Sequence, residues 1–157
     1  MSGDIRLTIS DTGILDICGQ IEEKCAEIYW YFSRLFADDK KSFELWKKTA
    51  LEEENHAEQF RLASRLHGSG MKAVNLGHNM VNTMLAKIEL IHDMVLKSPP
   101  SLKESLRFAI KIEQALAEYH MSTIVSFEDK ALEKLFSHMN ENDRGHIAML
   151  QHAYDSL

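Results

Sequence analysis

Six residues of this chain have the types and spacing to hold metal ions: Glu22, Glu53, His56, Glu113, Asp143 and His146. Two of the three pairs they form have a carboxylate three residues before an imidazole, Glu53 before His56 and Asp143 before His146, which on a helix puts both ligands on one face. With 24 acidic residues and 8 histidines in 157 positions, chance alone supplies about one such pair, so the spacing by itself carries little. What carries weight is where the pairs fall in the hydrophobic pattern. All six residues interrupt stripes that are otherwise mostly apolar.

The stripes define the elements that must position them. In segment 10–36 the inward positions are Ile14, Cys18, Glu22, Cys25, Tyr29, Phe32 and Phe36, and in segment 42–67 they are Trp46, Thr49, Glu53, His56, Phe60 and Ala63. Pro99 and Pro100 precede a Ser101-x-x-Glu104 capping box, and the helix it starts carries Leu106, Ala109, Glu113, Leu116, His120, Thr123 and Phe127. Segment 130–156 carries Leu132, Phe136, Met139, Asp143, His146, Leu150 and Ala153. A further periodic segment, with Val81, Leu85, Ile88, His92 and Val95, follows a Gly- and Asn-containing stretch over 68–80. If the second and third long helices run parallel, the chain needs a return path of roughly 35 Å, and about 17–20 helical residues supply about 26–30 Å of it. The sequence therefore predicts an all-α fold: four long helices with a fifth, helical crossover between the second and third, in a single domain over 1–157.

The second half of the chain resembles the first at a nearly constant offset. IEEKCAEIY aligns with IEQALAEYH, and LWKKTALEEENHAEQF with LFSHMNENDRGHIAML, pairing Glu22 with Glu113, Glu53 with Asp143 and His56 with His146. Glu22 and Glu53 are about equally far from the turn near 37–40, as Glu113 and Asp143 are from the one near 128–129. In antiparallel hairpins such residues meet at one level. Four carboxylates gathered in an apolar interior lose their hydration at several kcal/mol each and repel one another, a cost that protons or cations must relieve. Two divalent ions balance four carboxylates, and a carboxylate and imidazole donor set suits iron or manganese better than a structural zinc site.

At these residues the sequence resembles the ferritin-like superfamily, most closely its rubrerythrin-type di-iron domains. The resemblance runs through Glu22 and Tyr29 in IEEKCAEIYWYF, through LEEENHAEQF, through FAIKIEQ around Glu113, and through NDRGHIAML. It implies a ferritin-like four-helix bundle in which Glu22 and Glu113 are terminal ligands, His56 and His146 cap one metal each, and Glu53 and Asp143 bridge two iron ions, or manganese. It implies too a redox protein reacting with peroxide or dioxygen, a peroxidase or ferroxidase. Tyr29 and His120, two turns from Glu22 and Glu113, are candidates for a supporting role beside the metals or for packing. Two departures stand out. Asp143 is one methylene shorter than the family's glutamate, and the paired Cys-x-x-Cys module is absent because there are only 2 cysteines, so a separate electron-donor protein is expected. Iron binding or storage without turnover, a di-iron hydroxylase of an organic substrate, and a metal-free interaction module are the alternatives.

Composition agrees with a helical, globular chain: 45% hydrophobic and 27% charged residues, with only 7 Gly and 2 Pro. A net charge of −6 without a Lys/Arg block argues against a nucleic-acid partner. Cys18 and Cys25, seven apart on one helix, are about 10.5 Å apart and cannot pair within the chain, which favours a reducing, cytoplasmic setting. The start MSGDIRLTISD lacks a basic and an apolar export region, and no apolar run reaches the ~18 residues of a membrane span. A homo-oligomer, at least a dimer, is expected. Glu23, Glu27, Glu52, Glu54 and Glu58 are read as a solvated surface, and the 8 Met residues as packing.

Overall fold

The structure is a computed structural model that describes residues 2–65, 78–122 and 130–157, with side chains described over 13–65, 79–117 and most of 134–157. Among the described residues there are five α-helices and no strand: α1 (Ser2–Leu35), α2 (Lys40–Arg65), α3 (His78–Lys97), α4 (Leu102–Ser122) and α5 (Lys130–Asp155). No described helix is long and apolar enough to cross a membrane.

α1 and α2 form a helical hairpin. The turn between them is closed by Asp39, whose carbonyl accepts the Phe43 amide at 2.9 Å and whose carboxylate accepts the Ser42 hydroxyl at 2.5 Å. That hydroxyl, with the Lys41 and Ser42 amides, holds the exposed Asp39 carboxyl below its usual range, as suits an N-cap. α1 starts at Ser2, earlier than the predicted start at 10. No proline lies in this stretch to stop the helix, and Ile5, Leu7 and Ile9 alternate with period two, which hides a helical pattern.

At the start of α4 the capping box closes reciprocally. The Ser101 amide donates to Glu104 Oε2 and the Glu104 amide to Ser101 Oγ, both at 3.2 Å. α3 packs along α1, burying Val81, Ile88 and Val95, one every seven residues, while the Tyr31 hydroxyl donates to the Val95 carbonyl at 3.2 Å. Carrying α2 on one side and α3 on the other, α1 buries a wide face, with Leu15, Ile21, Ala26 and Ile28 added to the predicted stripe. α4 packs along α5, and α2 meets α5. All predicted inward positions of α2 are buried, as are Leu106, Ala109, Glu113 and Leu116 of α4 and Met139, Asp143, His146 and Leu150 of α5. Thr123 and Phe127 lie outside the described residues, as do the side chains of His120, Leu132 and Phe136.

Candidate metal centre

The six singled-out side chains are all buried, from 0% exposed for Glu22, Glu53, His56 and Glu113 to 1% for Asp143 and 3% for His146. Each reaches the interior because its helix phase puts it on the same stripe as large apolar residues: Cys18 and Cys25 around Glu22, Trp46 and Phe60 around Glu53 and His56, Leu116 beyond Glu113, Met139 and Leu150 around His146.

The structure gathers these residues into two sets that share one carboxylate. Glu22, Glu53 and His56 bring one ligand atom each to within 4.8 Å of one another, and so do Glu53, Glu113 and His146. The Glu53 oxygens divide between the histidines. Oε2 lies 3.7 Å from His56 Nδ1, which is also 3.8 Å from Glu22 Oε2. Oε1 lies 3.4 Å from His146 Nδ1, which is also 3.7 Å from Glu113 Oε2. The two imidazoles are stacked at 5.9 Å between ring centres. Asp143 belongs to neither set, although it is equally buried.

Aromatic packing fixes the far side of the second set. Trp46 stacks on Tyr29 at 5.8 Å and meets Phe32 edge-on at 4.9 Å, and the Tyr29 hydroxyl donates to Glu113 Oε1 at 2.7 Å. Only one Glu113 oxygen is thereby satisfied. The other, Oε2, and both oxygens of Glu53 are buried without a hydrogen bond. Buried carboxylate oxygens ordinarily carry partners, so acceptor atoms turned toward two imidazoles fit a bound cation.

Without a cation, protons fill that role. Burial pushes the Glu113 carboxyl up, Glu53 pushes it further, and His146 and Tyr29 oppose them, leaving it at about 7. Burial works against a charged His56, but the Glu22 and Glu53 carboxylates outweigh it and raise the ring to about 11. His146 is likewise disfavoured by burial and then raised to about 10 by Glu113 and Glu53. Burial first, then Glu53, Glu22 and Glu113, lift the Cys25 thiol well above its ordinary value, so it stays protonated.

A pH dependence follows. Both histidines have folded values above 6.5 and Glu113 above 4.5, so each binds its proton more tightly in the folded protein. The stability they lend to the metal-free protein is complete at low pH and is lost as pH rises through about 7 for Glu113 and about 10 to 11 for the histidines. The Tm of metal-free protein therefore falls between about pH 5 and about pH 10. Thermal melts across that interval check this, and a rising Tm contradicts it. A metal bound by these residues would show the opposite dependence, binding more strongly as pH rises because they must give up their protons.

Among the glutamates read as surface, one departs from its expected place. Glu27, Glu54 and Glu58 are exposed as expected, and Glu23 is half-buried against Arg61. Glu52, read as part of the solvated surface, instead turns inward and contacts His146 Nε2. It lies one residue from the inner stripe of α2, on the flank that α5 covers, so its role becomes visible only once α5 is placed. Comparison with protein-family models, curated proteins and solved structures gives no match to the chain.

Proposed function

We propose that the chain is a ferritin-like bundle holding two iron ions, or manganese, and that it is a rubrerythrin-like redox protein acting on peroxide or dioxygen. The observation that carries this reading is the division of Glu53 between His56 and His146, one oxygen turned to each. A carboxylate so placed would be shared by two ions, with Glu22 and His56 completing one site and Glu113 and His146 the other. Three carboxylates and two neutral imidazoles would not fully neutralise two divalent ions, so these residues would leave the site a net positive charge. When bound, two ferrous ions supply two electrons, enough to reduce one peroxide to two waters.

The chain itself contributes geometry and protons. Tyr29, held by its stacking on Trp46, donates its O–H to Glu113 across 2.7 Å between the two oxygens and so fixes that carboxylate. Burial excludes bulk water from the ligands. Anaerobic mixing of the ferrous protein with hydrogen peroxide tests the reading. About one peroxide is consumed per two irons oxidised, and far faster than with Glu53→Ala protein given the same iron. Equal rates for the two proteins reject it.

A hydroxylase is the second reading. A groove of about 480 Å³ between α2, α4 and α5, lined by Leu45, Leu102, Leu106 and Met149 but also by Lys41, Glu44 and Lys48, offers room for a substrate with an apolar part, and Met149 follows His146 by one turn.

A further inference from the structure

His146 has two ring nitrogens on opposite edges, and the structure gives them different neighbours. Nδ1 faces Glu53 Oε1 at 3.4 Å and Glu113 Oε2 at 3.7 Å. Ligands at about 2.0–2.2 Å from one metal lie about 3 to 3.6 Å from each other, so the first separation is that of atoms sharing an ion and the second is only slightly longer. Nε2 contacts Glu52, on the far edge of the ring. A carboxylate there cannot reach the ion that Nδ1 faces. It can do something else, because a ligating imidazole is neutral and keeps a single N–H, and the acceptor on one nitrogen decides which nitrogen keeps it.

We propose that Glu52 is the positioning residue for His146, accepting its Nε2–H and so presenting the Nδ1 lone pair to the cation shared with Glu53 and Glu113. This rests on the two-metal reading and adds a residue to it. The burial pattern separates Glu52 from the ligands. Its neighbour Glu53 is fully buried, whereas the Glu52 side chain is 31% exposed and forms part of the wall of an open groove on α2 with Glu44, Lys48 and Glu58. Its inner oxygen, Oε2, is shielded from water. Glu52 thus acts from outside the ligand cluster, and replacing it opens no dry cavity in the core. Its influence is confined to one of the two ions, since His56 Nδ1 faces Glu22 and Glu53 instead.

Cobalt(II) is the probe. Metal-free wild-type protein titrated anaerobically takes up two cobalt ions, and its proton NMR spectrum contains a strongly shifted, exchangeable imidazole N–H from His146. In Glu52→Ala, one ion binds about 10–100-fold more weakly while the other is unchanged, and the His146 N–H signal is lost to solvent exchange. Glu52→Gln, which keeps an acceptor oxygen at the same reach, falls between the two in affinity and retains the signal, and it serves as the test if the alanine variant does not fold. Two ions bound by Glu52→Ala at wild-type affinity with the N–H signal intact overturn the role of Glu52 and leave the two-metal reading standing. Failure of the wild type to bind cobalt overturns both.

Discussion

Glu53→Ala empties both metal sites at once. Glu53 is the one carboxylate that belongs to both candidate ligand sets, with Oε2 turned to His56 and Oε1 to His146, so on the proposed two-metal reading its removal would take a ligand from each ion. Glu22→Ala and His146→Ala each strip a single set and leave one ion in place. Each lost ligand costs at least about 100-fold in affinity, and at Glu53 that loss applies twice. The metal-free variant is also less stable than the metal-free parent by about 3–5 kcal/mol, because two buried imidazolium groups lose a shared counter-charge. Metal content after anaerobic reconstitution checks the first effect and denaturant unfolding the second. Glu54→Ala, on an exposed side chain that accepts the Trp30 indole N–H at 2.8 Å, leaves metal content unchanged. One ion retained by Glu53→Ala contradicts the shared-ligand geometry.

Loading the protein with metal raises its Tm by on the order of 15–30 °C at neutral pH. The ligands come from α1, α2, α4 and α5, and only the folded chain brings them together, so metal binding is linked to folding. Each ion present at about 1,000 times its Kd adds about 4 kcal/mol, and for a chain of this size each kcal/mol moves Tm by about 2–4 °C. The increment grows with pH, because metal-free protein loses the stabilising protons on Glu113, His56 and His146 while metal binding no longer has to displace them. Paired melts with and without manganese at two pH values measure it. An increment that shrinks as pH rises contradicts the account.

Much of this centre was legible in the sequence because helical phase is a strong constraint. Acids and histidines on an apolar stripe have no route to water, and Glu22, Glu53, His56, Glu113, Asp143 and His146 are all buried as their spacing requires. The Ser101–Glu104 capping box was legible for a similar reason, since its chemistry is local. What phase cannot give is azimuth relative to a neighbouring helix. Glu52 lies beside the stripe and its inward turn depends on α5, and Asp143 lies on the stripe yet joins neither ligand set. The sequence repeat equates Asp143 with Glu53, but a side chain shorter by one methylene on a different helix does not reproduce the reach of its counterpart. The early start of α1 was hidden by alternation of Ile5, Leu7 and Ile9, a local pattern overridden by helix continuation.

The most direct test of the central claim is calorimetric titration of the metal-free chain with Fe(II) under anaerobic conditions. The account predicts saturation at two ions per chain, with about two to three protons released at pH 7 as the histidines and Glu113 give theirs up. Saturation at one ion per chain, or no binding, contradicts it.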